Sequence, residues 1–313
     1  MGHRQDTWFE LSSRLALMED LALLGLLRAS EPAAGWGCSR VLTIGDTRVF
    51  TKSVPLTRRE HARPYCTANL FELPTFYNYG VGSAGFGVFR ELASHVKTTN
   101  WVLSGAIDAF PLMYHHRILP RTGSPPVMTA EELDKYVAFW NGDEGIRSYM
   151  QARQEAEYEV VIFLEYVPDV LKTWLPANQD ALPMVMAGMQ EAISFLRARG
   201  VVHFDAHLSN ILTDGAQVFL TDFGLVLDAE FDLDETERAF LQAHRHYDSG
   251  EFIACLARLD LTPRYAAALG PYQEVTALMK RFFTALRTGS KLEGGYDDET
   301  LERLLLQATP PAR

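Results

Sequence analysis

Asp205 and Asn210 stand five residues apart in the run HFDAHLSN, and Asp222 follows in TDFG. That spacing lets one loop present a carboxylate to a reacting hydroxyl and an amide oxygen to a metal, while Asp222 supplies the hard anionic oxygen that Mg2+ prefers. Far upstream, Lys52 lies in VFTK, where an ammonium on a buried strand demands a carboxylate partner. Glu91, in VFRELASH, is the expected partner; Glu60, in LTRREHAR, competes for the same cation but sits in a charged run that reads as a solvated face. A metal on the phosphates, a cation on their oxygens and a carboxylate that orients an acceptor hydroxyl are what phosphoryl transfer from a nucleotide needs. The chain holds a candidate for each.

The elements that must position these residues can be read from periodicity. Leucines at helical spacing predict a helix over residues 8 to 28, ended by Ser30, Glu31 and Pro32, ahead of a glycine-bearing stretch GWGCSR. VLTIGDTRVFTKSVPL predicts two antiparallel strands, 41–44 and 48–54, turning at Gly45 and Asp46 and placing Lys52 on the second. An irregular stretch rich in aromatics and glycine, 58–87, leads into a helix carrying Glu91. FPLMYHHRIL and EVVIFLEYV read as strands, separated by a charged helical insertion over about 121–157. PMVMAGMQEAISFLRARG reads as a helix with a basic last turn at Arg197 and Arg199 and a stop at Gly200. After the HFDAHLSN loop, a hairpin turning at Asp214 and Gly215 should bring Asn210 and Asp222 together. Residues 232–313 read as three or four helices with a polar tail, and no repeat period is present.

HFDAHLSN followed by TDFG resembles the catalytic loop and metal-binding motif of the protein-kinase-like superfamily. A glycine-bearing loop, a strand lysine, a helix glutamate, the segment FLEYVP, a helix, the catalytic loop and DFG occur in the family's order over roughly residues 35–226. The whole chain also resembles a little-characterised bacterial group described as serine/threonine protein kinase-like. This implies an α+β, bilobal fold with a small antiparallel β-sheet N-lobe and a mainly helical C-lobe: a helical extension over 1–30, the N-lobe over 31–166 and the C-lobe over 167–313. It implies ATP and Mg2+ as cofactors, with Gly35 and Gly37 on the phosphates, Lys52 paired to Glu91, and backbone groups of Glu165 and Val167 on adenine behind Leu164. Asp205 would orient and deprotonate the acceptor, and Asn210 with Asp222 would hold the metal. His207 would touch the transferring phosphate or the acceptor, or brace Asp205.

The departures bear on the acceptor. Phe204 replaces the arginine of the HRD triplet, His207 stands where protein kinases carry a lysine, Arg40 takes the third glycine position of GWGCSR, and no APE triplet follows Gly224. HxDxHxxN is closer to aminoglycoside and choline phosphotransferases and to the ubiquinone-linked atypical kinases. Three readings follow: a serine/threonine protein kinase-like enzyme first, a small-molecule kinase, and a nucleotide-binding pseudokinase.

Composition narrows the partners. The 313 residues are 47% hydrophobic and 22% charged, as in an ordinary globular chain, and a net charge of −11 offers no basic field for nucleic acid or anionic lipid. Three scattered cysteines support neither a disulfide framework nor a zinc site and fit a reducing cytoplasm. The N-terminal apolar run is interrupted by Glu19 and Asp20, so no membrane partner is expected. Gly80, Gly82 and Gly85 spell GxGxxG ahead of a helix, which reads either as a dinucleotide fingerprint or as a turn into the Glu91 helix. His115 and His116 read as structural, as do His244 and His246, which could otherwise shape an acceptor site.

Overall fold

The chain opens with two helices, α1 (Gly2–Ala16) and α2 (Asp20–Ala29), where leucine spacing predicts one. The break is tertiary in origin. One nitrogen of the Arg117 guanidinium donates to the carbonyls of Leu15 (3.0 Å) and Met18 (3.4 Å), and another reaches Asp20 Oδ1 at 2.7 Å, so the last carbonyls of α1 find a partner outside the helix. The computed structural model describes residues 2–32, 38–121, 128–289, 291 and 295–308. The expected phosphate-loop glycines, Gly35 and Gly37, lie outside the described residues.

A five-stranded antiparallel sheet follows, in the order β1-β2-β3-β5-β4. It contains β1 (Glu31–Pro32), β2 (Cys38–Ile44) and β3 (Thr47–Leu56), then, after the short helix α3 (Arg58–His61) and the long helix α4 (Val88–Leu103), β4 (Met113–Pro120). Helices α5 (Ala130–Phe139) and α6 (Glu144–Gln154) occupy the charged stretch before β5 (Tyr158–Glu165). The β2–β3 connection has only Gly45 and Asp46 between paired Ile44 and Thr47, and Gly45 adopts φ +63°, a left-handed conformation that glycine enters without a Cβ penalty.

Side chains on a strand alternate between faces, so Phe50, Lys52, Val54 and Leu56 of β3 share one face, as do Val160, Ile162 and Leu164 of β5. That face packs on α4 through Val88, Phe89 and Leu92. Each fully buried apolar side chain of this kind contributes about 1.5–3 kcal/mol. The register opposes Lys52 to Ile162, which sets a cation inside the apolar patch beneath α4.

The chain divides into two compact units. The first comprises Met1–Leu73 and Gly87–Val167, and the second Pro74–Phe86 and Pro168–Arg313. The sequence places 74–86 with the first; the packing of its glycines against the second unit, described below, puts it elsewhere.

The second unit is mainly helical. After β6 (Asp169–Val170) and α7 (Leu171–Trp174), the predicted amphipathic helix is α8 (Leu182–Arg197), burying Val185, Met189, Ala192, Ile193 and Leu196 along one stripe. Strands β7 (Val201–Val202), β8 (Ile211–Thr213), β9 (Val218–Leu220) and β10 (Leu227–Asp228) are short; β8 and β9 form the predicted hairpin with Ile211 opposite Leu220. Five helices follow among the described residues, rather than three or four: α9 (Glu235–Gln242), α10 (Tyr247–Leu256), α11 (Pro263–Ala268), α12 (Gln273–Thr288) and α13 (Asp298–Ala308). The extra boundaries arise where a capping box at Asp234 and Glu237 starts α9, and where Pro263 starts the six-residue α11. The fold class is α+β as predicted, with a small antiparallel sheet in one unit and helices dominating the other. No described helix is long and apolar enough to cross a membrane.

Candidate functional site

In the first unit, Lys52 Nζ lies 2.6 Å from Glu91 Oε1, with 19% and 5% of the two side chains exposed. β3 alternation turns Lys52 toward α4, and the 3.6-residue period of α4 turns Glu91 to the same face as Val88 and Leu92. Removing either partner from such a buried pair strands the other charge, at a cost of about 3–5 kcal/mol.

Glu60 is not on a solvated face. Its carboxylate is 4% exposed and accepts from Thr57 N (2.9 Å), Thr57 Oγ1 (2.6 Å) and Val88 N at the start of α4 (2.8 Å). It therefore anchors the end of the helix that carries Glu91 rather than pairing with Lys52. Thr57-Arg58-Arg59-Glu60 spells a capping box, and that signal was present in the sequence.

Glu165, at the end of β5, is held on both sides. Its backbone N–H donates to Leu112 O at 2.7 Å, and its carboxylate accepts from Arg4 of α1 through two nitrogens, at 2.9 and 2.6 Å, and from Leu112 N at 3.0 Å. The helical extension thus grips the segment that was expected to meet adenine. His115 and His116 are pushed below the ordinary imidazole range by burial and by Arg117, His115 to about 4, and lie on β4 as neutral structural groups.

In the second unit, β7 leads directly into His203–Asn210. Asp248 of α10 is fully buried, and its carboxylate accepts from the backbone N–H groups of His203 (2.8 Å) and Phe204 (2.9 Å). These bonds hold Phe204 at φ +63°, a left-handed conformation that is uncommon for a bulky residue. Burial pushes the Asp248 carboxyl up to about 6, against the two N–H groups that favour its charge. The Phe204 ring is fully buried against Phe240 (5.3 Å) and Tyr247 (5.2 Å), so the residue that departs from HRD has become part of an aromatic cluster. Burial, with Asp205 and Asp248 nearby, pushes the neighbouring Glu251 carboxyl well above its ordinary value.

Asn210 closes the loop. Its Nδ2 donates to Asp205 O at 3.0 Å and Asp205 Oδ2 at 2.8 Å, which leaves the amide oxygen as the end able to meet a cation. His207 Nδ1 accepts from Ser209 N at 3.2 Å, so Nε2 carries the ring's proton and faces Asp205 Oδ1 at 3.4 Å. His203 links loop to hairpin: its Nδ1 accepts from Asp205 N at 3.3 Å and its Nε2 donates to Thr221 O at 3.1 Å. Thr221 N in turn donates to Asn210 O at 3.0 Å, which seats Asp222 beside Asn210 along the chain ends of the hairpin. Asp222 has φ +67°, a conformation aspartate adopts more readily than most residues.

Among the described residues no group of three or more His, Cys, Asp or Glu could hold a metal by itself. The donor set fits Mg2+ nonetheless, because that ion keeps waters and substrate phosphates and takes only one or two protein oxygens. Asn210 and Asp222 would supply two.

His244 shows the sequence's structural reading in detail. Its Nδ1 donates to Phe240 O (2.7 Å), its Nε2 accepts from Tyr79 OH (2.7 Å), and its ring stacks on Tyr296 at 4.4 Å. Burial lowers it to about 4 from 6.5. The folded state thus resists protonation that the unfolded state accepts, and its stabilisation is complete above pH 6.5 and lost as pH falls toward 4. We expect His244→Gln to tilt the pH dependence of Tm downward across that window, relative to wild type, by the equivalent of about 3 kcal/mol or less; an unchanged slope would exclude His244 as the titrating group.

The GxGxxG stretch is not a dinucleotide fingerprint. Thr75–Asn78 before it is a 3-10 turn, and all described sheets are antiparallel, whereas the fingerprint needs a strand entering a parallel βαβ unit. Asp248, Glu251 and Arg4 have no local motif and were missed in the sequence for that reason.

No family model and no curated protein matches the chain. Among solved structures, WaaP in complex with acyl carrier protein aligns over 90% of this chain and 92% of that chain, at 10% identity and a TM-score of 0.34.

Proposed function

We propose that the chain is an ATP- and Mg2+-dependent phosphotransferase of the protein-kinase-like type, moving the γ-phosphate to a hydroxyl acceptor. The observation that carries this reading is the Asp205–Asn210 clasp. One amide nitrogen fixes both the carboxylate and the carbonyl of Asp205, and the same residue's backbone is bonded next to Asp222. The 2.6 Å pair of Lys52 and Glu91 supports it independently.

In this reading Lys52, held by Glu91, binds the α- and β-phosphates, and Glu165 C=O with Val167 N–H receives adenine. Gly35 and Gly37 cover the phosphates. Asn210 and Asp222 hold Mg2+, which when bound neutralises charge on the phosphate oxygens. Asp205 orients the acceptor hydroxyl and takes its proton as the oxygen attacks the γ-phosphorus and the bond to the β–γ bridging oxygen breaks, releasing ADP. His207 braces Asp205.

The test incubates purified protein, Mg2+ and γ-labelled ATP with extract of the source cell, alongside Asp205→Asn. Transfer should fall about 10²- to 10⁴-fold in the variant, while Mg-ATP still raises its Tm. Wild-type protein that gains thermal stability from Mg-ATP yet labels nothing would point instead to a nucleotide-binding interaction module.

A further inference from the structure

The segment Pro74–Phe86 lies on the catalytic loop and on the DFG run, and it is tied down at its middle and at its C-terminal end. Tyr79 donates its hydroxyl to His244 Nε2 and packs its ring against Phe282 (5.1 Å), Phe240 (5.5 Å) and Phe204 (6.5 Å). Phe86 N–H donates to Gly224 O at 3.0 Å. Within the segment, Tyr77 OH accepts from Ala84 N and Ser83 Oγ donates to Tyr79 O, so the strap has a built shape.

Its glycines are where the main chain comes closest. A Cβ on Gly80 would overlap Asp205 Oδ1 and stand 3.1 Å from Asp205 Cγ and 3.3 Å from Phe204 O. At Gly85 (φ +97°) a Cβ would stand 3.0 Å from Gly224 O. Backbone therefore walls the Oδ1 side of the carboxylate while Asn210 covers Oδ2, and the Asp205 side chain is left 17% exposed beside His207.

A seryl or threonyl hydroxyl sits two bonds from its own main chain. Bringing it within about 2.6–3.2 Å of Asp205 also brings that chain, with residues running on in both directions, against the strap. Even hydrogen-bonded neighbouring strands need about 4.7–4.9 Å between them. A compact molecule needs no such corridor.

We infer that the strap selects the acceptor: Gly80 is a positioning and specificity-determining residue, and the acceptor is a small hydroxyl compound rather than a polypeptide. This rests on the phosphotransferase reading above and narrows its substrate class.

The experiment uses the full chain with Mg2+ and γ-labelled ATP, supplied separately with the low-mass ultrafiltrate and the dialysed protein fraction of source-cell extract. Label should enter ultrafiltrate compounds and leave protein at background. Gly80→Ala, which must displace Asp205, should lower kcat on the labelled compound about 100-fold with the KM for ATP and the Mg-ATP shift in Tm unchanged, a split that general loss of folding does not produce. Tyr79→Phe, which removes the hydroxyl tether to His244 without adding bulk, should loosen the strap and raise protein labelling above background.

Label on protein at a level matching or exceeding the ultrafiltrate overturns the inference and spares phosphoryl transfer. Label in neither fraction, with Mg-ATP still raising Tm, overturns the phosphotransferase reading itself. Should Gly80→Ala fail to fold, the partition of label by the wild-type chain still decides.

Discussion

On the phosphotransferase reading, Asp222→Asn is expected to lower phosphoryl transfer about 10³-fold while the Tm stays near wild type. The substitution is chosen for the backbone: Asp222 sits at φ +67°, where Asn is among the few residues that are at ease and Ala is not. It keeps shape and conformation and removes one negative charge. If Asn210 and Asp222 are the protein's two metal oxygens, two neutral amides remain, and a hard dication dehydrates reluctantly for those. The lost electrostatic stabilisation is of the size seen when one fixed charge-stabilising group leaves an active site, about 10²- to 10³-fold, with weakened metal affinity added. The check is kcat against Mg2+ concentration. Excess Mg2+ should recover part of the activity in Asp222→Asn, and wild-type turnover at ordinary Mg2+ would remove Asp222 from the metal site.

Asp248→Ala is expected to have the largest effect on stability. Two fully buried backbone donors, His203 N and Phe204 N, lose their acceptor at once. Each unsatisfied donor costs about 1–3 kcal/mol, so the variant should lose about 2–6 kcal/mol, a large part of the 5–15 kcal/mol that holds a typical protein folded. Phe204 also loses the contacts that hold its left-handed backbone. Asp248→Asn keeps one acceptor oxygen and should lose less.

The pH dependence separates this residue from His244. The folded carboxyl of Asp248 holds its proton to about 6, against 3.8 for the ordinary value. Its contribution to stability is therefore greatest below 3.8 and is lost as pH rises through about 6. His244 has the opposite sign in an overlapping window. Denaturant midpoints from pH 4 to 7 should tilt upward relative to wild type in Asp248→Asn, since the opposing slope is gone, and tilt downward in His244→Gln, where the Asp248 slope is left uncompensated. An Asp248→Ala protein as stable as wild type would show that the loop is held by something else.

Much of the candidate site was legible because its spacing is local. A five-residue loop, a hairpin with an Asp-Gly turn and a strand alternating around Lys52 are short-range patterns, and each repeats a geometry the backbone imposes. Glu91 is the expected partner of Lys52 and the one found, but the ground for setting Glu60 aside, a solvated charged run, does not hold. Glu60 itself was misread, because a charged run carries no mark of burial, although its capping box was there to see.

What remained hidden depends on residues far apart in sequence. Arg117 breaks the N-terminal helix by collecting carbonyls about a hundred positions away. Asp248 holds the His203–Asn210 loop from forty-five positions downstream. Phe204 reads as a lost arginine until its aromatic neighbours are seen.

Local spacing settles which carboxylates, amide and ammonium are on offer and which of them neighbouring geometry presents together. That Pro74–Phe86 leaves the sheet unit and lies on Asp205 follows from long-range packing alone. The reason is steric. A glycine's missing Cβ matters only where another chain segment comes within contact distance, and that approach is set by packing across more than a hundred residues, which no local spacing records.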